Sequence, residues 1–172
     1  YLLWLDLLRG LLGVTPEDTP QAVLDRLREQ VTAWCPPPSD DRLPYLARLM
    51  ALPVDDETQA WLDDLHGREL KARTFRAMET LVEGAARERP LVLVGEDLHW
   101  ADPSSLELLE HLLALTDRAS FLIVCIFRPD KEHGSWRVRE AAAVLGAAWV
   151  VGRLRPRRNV RIRLCPIGVC EA

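Results

Sequence analysis

The chain has 172 residues, of which 48% are hydrophobic and 28% charged, a composition typical of a soluble folded protein with room for one sizeable core. Its longest leucine-rich stretch, residues 2–12, is too short and too polar to span a bilayer and lacks the features of a signal peptide. The net charge is −4, and residues 153–163 hold six arginines and no acid, so the remainder is more acidic still and disfavours a nucleic-acid surface.

Helices are predicted for about the first ninety residues. Thr19 and Pro20 are typical of a helix start, since Thr can cap the helix and Pro can occupy its first turn. Apolar residues then recur at helical spacing up to Trp34, and the proline run after Cys35 ends the pattern. Further helices are predicted at residues 43–52, 57–65 and 69–89.

The apolar pattern changes after residue 90. Residues 91–94 and 121–127 are continuous apolar runs, and an amphipathic helical pattern at residues 102–117 lies between them. Strands buried on both faces and joined by a helix are typical of a parallel sheet, so the predicted fold class is α/β. A third strand, at an edge or half covered, is predicted at residues 160–164, where apolar residues alternate with arginine.

The four cysteines are scattered along the chain and form no C-x-x-C pair: Cys35, Cys125, Cys165 and Cys170. The sequence therefore indicates neither a zinc site nor a disulfide framework. A reducing compartment suits such cysteines, and we expect the protein in the cytoplasm.

Two adjacent carboxylates, Glu96 and Asp97, directly follow the first predicted strand in the stretch LVLVGEDLHWADPSS, residues 91–105. In a parallel sheet, ligands bind beyond the carboxyl ends of the strands, where these two acids are expected. One of them can hold Mg²⁺ while the other orients or deprotonates an attacking water. The alternative is that both are solvated loop residues, and their spacing alone does not decide between the two interpretations.

The residues after this pair have simpler expected roles. Asp102 precedes Pro103 and a leucine-rich helix, so capping that helix is favoured over a direct role in catalysis. Trp100 is expected to pack under the turn because a large aromatic buries much apolar area, and His99 either faces the site or packs with it. A metal-dependent hydrolase is a further hypothesis, disfavoured because four ligands this close in sequence rarely converge on one ion. It would use Glu96, Asp97, His99 and Asp102.

The second predicted strand ends in the sequence Phe-Arg-Pro-Asp at residues 127–130. Arg128 would then lie at the carboxyl end of a strand next to the acidic one, where a planar guanidinium can meet a phosphate. The alternative is a salt bridge to Asp130 or Glu96, and the residues by themselves favour the salt bridge.

The segments RPLVLVGEDLHWADPSSLELLEHLLAL and FLIVCIFRPDKEHGSW together resemble the ATPase module of the signal-transduction ATPases with numerous domains, a group of P-loop NTPases. More narrowly, they look like the origin-recognition-like AAA ATPase region of bacterial multidomain regulators. Those regulators include ATPases fused to adenylate or guanylate cyclase domains and LuxR-type transcription activators. The stretch WLDLLRGLLG, residues 4–13, extends the resemblance to the start of the chain.

The resemblance implies an ATP-operated switch with slow hydrolysis and with ATP and Mg²⁺ as cofactors. It implies that residues 91–97 form the Walker B strand, with Glu96 in the metal-facing position and Asp97 in the position that polarises water. Arg128 falls at the sensor-one arginine, which reads the γ-phosphate. Expected partners are the nucleotide and either protein partners or fused regulatory domains, with nucleic acid contacted only through other domains and no contact with membrane.

The resemblance also implies a partial P-loop NTPase sheet of about three parallel strands. Residues 1–89 would be the helical segment before the Walker B strand, and residues 90–172 the α/β portion of the same domain. The motif G-x-x-x-x-G-K-[ST], which cradles the phosphates, does not occur, and the chain begins at Tyr1 without Met. We therefore expect a fragment of a longer protein that alone binds ATP weakly or not at all. The alternative is a nucleotide-free helical α/β module that holds protein partners.

Overall fold

The computed structural model describes residues 2–37, 40–127, 134–144 and 162–166, the last range by its backbone alone. Two compact units divide the chain: a strand unit of Tyr1–Leu7 with Ala86–Ala172, and a helical unit of Leu8–Ala85. The helices are α1 (Leu2–Leu12), α2 (Pro20–Trp34), α3 (Leu43–Leu49), α4 (Asp56–Asp64), α5 (Gly67–Glu88), α6 (Pro103–Leu112) and α7 (Ser135–Val144). The strands are β1 (Leu91–Gly95), β2 (Phe121–Cys125) and β3 (Ile162–Pro166). In the part of the chain that the structure describes, no helix is both long and apolar enough to cross a bilayer.

Sequence signals at the helix ends operate as predicted in the helical unit. The Thr19 side chain accepts a hydrogen bond from the amide of Ala22 at 3.2 Å, and Pro20 begins α2. The helix ends at Trp34, immediately before the proline run. The core of this unit is built from fully buried side chains of α2 to α5: Leu27, Leu46, Leu62, Met78 and Leu81.

Helices α2 and α5 approach each other closely at Gly84. A Cβ added at Gly84 would lie 2.7 Å from the carbonyl carbon of Trp34 and 2.8 Å from the Trp34 Cβ, and it would overlap the Trp34 carbonyl oxygen. Only glycine allows two backbones to come this near. The crossing therefore depends on this one position of α5.

The described strands form one sheet in the order β2-β1-β3. Strand β1 pairs with β2 in parallel, with Leu91 opposite Phe121 and Gly95 opposite Cys125. The connection from β1 to β2 contains α6 and a 3-10 turn at Leu113–Asp117, as a parallel crossover requires. The predicted α/β fold class and the parallel pairing of the first two strands are confirmed.

The third strand differs from the expected one in bounds and direction. It runs over Ile162–Pro166, two residues later than predicted, and it pairs antiparallel to β1, with Ile162 opposite Gly95 and Pro166 opposite Leu91. The parallel part of the described sheet therefore has two strands. Alternating arginine and apolar residues are compatible with either direction of pairing, because direction is set by the route of the preceding connection. Antiparallel edge strands are common on otherwise parallel sheets.

A hydrogen bond joins the first helix to α6 within the strand unit. The Trp4 indole, which is fully buried, donates from Nε1 to the main-chain carbonyl of Ser105 at 3.1 Å. Ser105 is also fully buried, in the first turn of α6. The contact satisfies the polar edge of a large aromatic ring that otherwise packs in the core, and it fixes the start of α6.

Candidate functional site

Glu96 and Asp97 leave the sheet at the carboxyl end of β1, as predicted. Glu96 is exposed, whereas the Asp97 side chain is 21% exposed. Asp97 has a left-handed backbone, with φ 52° and ψ 38°. Aspartate is among the few residues that adopt this conformation at modest cost, and it turns the chain sharply at the strand exit. The two carboxylates consequently stand in different environments, one open to solvent and one half-buried.

The turn after the acidic pair is pinned to the neighbouring strand. The Ile126 amide donates to the Gly95 carbonyl at 2.7 Å, and the Leu98 amide donates to the Ile126 carbonyl at 3.1 Å. Leu98 is fully buried, and a Cβ at Gly95 would lie 2.9 Å from its Cδ2. Gly95 thus leaves the space that Leu98 fills. This packing holds the 3-10 turn at Leu98–Trp100 in one orientation.

The orientation of this turn separates His99 from Trp100. His99 is turned inward, with its side chain 10% exposed and its Nδ1 3.9 Å from Asp97 Oδ1. Trp100 is 71% exposed, and its ring centroid lies 5.3 Å from that of His99. The prediction that Trp100 packs under the turn is wrong, because Leu98 takes the inner position instead.

Asp102 caps α6, as predicted. Its carboxylate accepts hydrogen bonds from the Ser105 amide at 2.9 Å and from the Ser105 hydroxyl at 2.6 Å, and Pro103 is the first helical residue. Burial of Asp102 opposes its ionisation, and these hydrogen bonds are among the interactions that together hold its pKa below the ordinary value of 3.8. The carboxylate therefore serves the helix start that follows the acidic turn.

Asp102→Ala is expected to lower the free energy of unfolding by about 1 kcal/mol at neutral pH, since it removes an N-cap. A carboxyl whose folded pKa is depressed stabilises the fold above its unfolded pKa and loses that contribution as the pH falls through the folded pKa. The difference between wild type and Asp102→Ala should therefore shrink below about pH 4, the ordinary range of an aspartate. Urea unfolding at pH 7 and pH 3 measures this difference in the free energy of unfolding between wild type and Asp102→Ala.

Asp102→Asn is the matched control for this pH dependence. Its side-chain oxygen can cap the helix but carries no charge, so its stability relative to Asp102→Ala should change little between the two pH values. A stability difference between wild type and Asp102→Ala that is as large at pH 3 as at pH 7 would contradict the role of the ionised cap.

Arg128 lies outside the described residues. Strand β2, which precedes it, ends at Cys125 opposite Gly95, so the chain leaves β2 at the same end of the sheet as Glu96 and Asp97. Burial raises the pKa of the Cys125 thiol to about 12. This cysteine is therefore an uncharged packing residue of the strand end and not a thiolate.

The carboxylates at this strand end suit Mg²⁺ that is bound together with a nucleotide, and not a metal ion held by protein ligands alone. Within residues 2–37, 40–127 and 134–144, no group of three or more His, Cys, Asp and Glu side chains is placed to hold a metal ion. Glu96, Asp97, His99 and Asp102 therefore do not form the metal-binding group that the hypothesis of a metal-dependent hydrolase requires in the described structure. An exposed carboxylate beside a half-buried one fits Mg²⁺ bound through one or two carboxylates together with nucleotide phosphates.

Two features of the site escaped prediction from the sequence. The hydrogen bond from Trp4 to Ser105 spans 101 residues and has no local signal. The sequence also left open whether His99 faces the site or packs inward, and the inward orientation is found where Leu98 fills the space left by Gly95.

Comparison with known families gives one match. A family model described as AAA ATPase domain matches residues 2–124, which include the acidic pair and both parallel strands except the last residue of β2. Comparisons with curated proteins and with solved structures gave no match.

Proposed function

The chain belongs to the AAA ATPase domain family, and from this membership and the geometry of the β1 end we propose that it supplies the metal and water end of an ATP site. Glu96 takes the metal-facing position, where it holds Mg²⁺ together with the nucleotide phosphates. Asp97 takes the position that orients and polarises the attacking water. Arg128 acts as the sensor-one arginine that reads the γ-phosphate.

The observation that carries this proposal is the position of the acidic pair. Glu96 and Asp97 follow β1, which is paired in parallel with β2. Both acids lie within the region that matches the family. Ligands of parallel sheets bind at this end of the strands. Mg²⁺ bound there would neutralise charge on the phosphates, and the half-buried Asp97 would contact the water.

The different environments of the two acids support their different roles. The exposed Glu96 can reach outward to a hydrated metal ion, and its extra methylene relative to Asp lengthens that reach. Asp97 has a left-handed backbone in a turn whose main chain is hydrogen-bonded next to the end of β2, so its Cα–Cβ bond points in one fixed direction. A water-orienting group requires such a fixed direction.

The proposed protein is a regulatory ATPase. It acts as a switch that couples the state of the bound nucleotide to protein partners or fused regulatory domains. Residues 1–89 and 90–172 are taken as two portions of one ATPase domain. Placement in the cytoplasm is supported by the described cysteines, Cys35 and Cys125, both of which are free thiols.

A protein-interaction module that binds no nucleotide is the second candidate. It is favoured by the exposed aromatic ring of Trp100 and by the exposed apolar side chains of Leu122 and Val124 on β2. Exposed large apolar groups are typical of surfaces that meet other proteins.

Calorimetry with MgATP distinguishes the two candidates. We expect the protein expressed from its natural coding sequence to bind MgATP. In that protein, Glu96→Gln should reduce the dependence of ATP binding on Mg²⁺, whereas His66→Asn, at an exposed histidine of the helical unit, should leave it unchanged. A natural protein that binds no MgATP would establish the interaction module as the better candidate.

A further inference from the structure

We propose that His99 is the positioning residue of Asp97: its imidazole donates from Nδ1 to Asp97 Oδ1 and so aims the carboxylate at the water. This inference rests on the proposed function, because it assigns a partner to the residue that the ATP site uses for water. It concerns a contact between two side chains of this chain and therefore can be tested without nucleotide.

The geometry of the turn brings the two groups together. Asp97 and His99 flank the buried Leu98, and Asp97 has a left-handed backbone at the start of the 3-10 turn. The Trp100 amide donates to the Asp97 carbonyl at 2.9 Å, which closes the turn. With the turn closed, His99 Nδ1 lies 3.9 Å from Asp97 Oδ1.

A separation of 3.9 Å is longer than a hydrogen bond, whose donor and acceptor lie about 2.7–3.2 Å apart. Contacts of this kind in nucleotide-free sites often shorten when substrate binds. Closing the remaining distance requires the Asp97 side chain to rotate toward His99. The second carboxylate oxygen then stays available for the attacking water.

Burial assigns His99 a positioning role and not that of the base itself. Both ring nitrogens are shielded from solvent, and the Trp100 ring lies against the imidazole, tilted by 41°. A group that takes a proton from an attacking water must meet that water. Asp97 is the more exposed of the two residues and has the oxygen acceptors, so Asp97 is the residue that contacts the attacking water.

The tautomer of His99 tests this contact directly. A neutral imidazole that donates to Asp97 must carry its proton on Nδ1, and the other nitrogen is then the acceptor. We expect imidazole ¹⁵N resonances of the chain at pH 8 to show the Nδ1–H form for His99, identified by the resonances that His99→Asn removes. In Asp97→Gly, which keeps the left-handed backbone without the carboxylate, these resonances should shift to the Nε2–H form. An Nε2–H form in the wild type, or resonances unchanged in Asp97→Gly, would overturn the proposal.

Hydrolysis by the full-length protein then tests whether the contact serves the reaction. His99→Phe keeps a ring but removes the donor, and we expect kcat to fall about 10- to 100-fold with the KM for ATP unchanged, as for other supporting residues of reactive centres. His99→Asn, which offers an amide donor near the position of Nδ1, should restore a large part of the rate. His66→Asn is the control at a distant exposed histidine and should behave as wild type.

The two measurements separate failure of this inference from failure of the proposed function. A wild-type protein that binds no MgATP would remove the proposed ATP site, and the tautomer would still decide whether His99 donates to Asp97. A wild-type ATPase in which His99→Phe is fully active, or in which Asn restores nothing, would leave the ATP site standing and overturn the role of His99.

Discussion

Gly84→Ala is expected to lower the free energy of unfolding by about 1–2 kcal/mol. In an open helix the same change would stabilise the protein by about 1 kcal/mol, because alanine has the better helix propensity. Here the new methyl group meets the backbone of Trp34, with its carbonyl carbon at 2.7 Å, and a main chain at a helix end cannot rotate away as a flexible side chain can. Overpacking of this kind costs about 1–3 kcal/mol and sometimes more, so the loss exceeds the gain.

Gly10→Ala is the matched control for this prediction. Gly10 also lies within a helix of the helical unit, in α1, but a Cβ added there meets no atom within 4 Å. This variant should therefore be stabilised by about 0.5–1 kcal/mol, opposite in sign to Gly84→Ala. Urea unfolding followed by tryptophan fluorescence measures both variants. A gain in stability for Gly84→Ala as well would mean that α2 and α5 do not cross as closely as described.

Features with a local cause were predictable from the sequence. Helix α2 begins at Pro20 and β1 covers Leu91–Gly95, because capping residues, prolines and apolar periodicity all act within a few positions of the chain. The cap at Asp102 is also a local feature, since an Asp-Pro pair directly before a leucine-rich segment predicts a helix start. The position of the acidic pair at a strand end followed from these local patterns.

Features with a distant cause were not predictable. The antiparallel direction of β3 depends on the path of the connection before it, and its alternating residues would fit a parallel partner equally well. The donor of the hydrogen bond to Ser105 is Trp4, which in sequence is one apolar residue of a leucine-rich helix. The exposure of Trp100 reverses an expectation based on its size, because Leu98 competes for the same space and fits beside Gly95. The last of these outcomes was decided by which side chain reached the shared space.

Asp97→Asn in the full-length protein is expected to reduce ATP hydrolysis by about 10²- to 10⁴-fold, the range attributed to a positioned acid or base. ATP binding should be largely preserved, because Glu96 and not Asp97 faces the metal in the proposed site. Asparagine is the informative substitution, since it adopts the left-handed backbone of Asp97 readily and removes only the charge and the basicity. Asp97→Ala would add backbone strain of about 1–2 kcal/mol and mix a folding defect with a chemical one.

Single-turnover hydrolysis and calorimetry with MgATP on the same preparations measure the two quantities. Asp64→Asn, at an exposed aspartate that ends α4 in the helical unit, is the control for loss of one negative charge and should match wild type in both. Equal losses of binding and hydrolysis in Asp97→Asn would assign Asp97 to the metal and would exchange the roles of the two carboxylates. Since a half-buried carboxylate beside His99 is poorly placed to join a hydrated ion, we expect the losses to separate, with hydrolysis falling while binding remains.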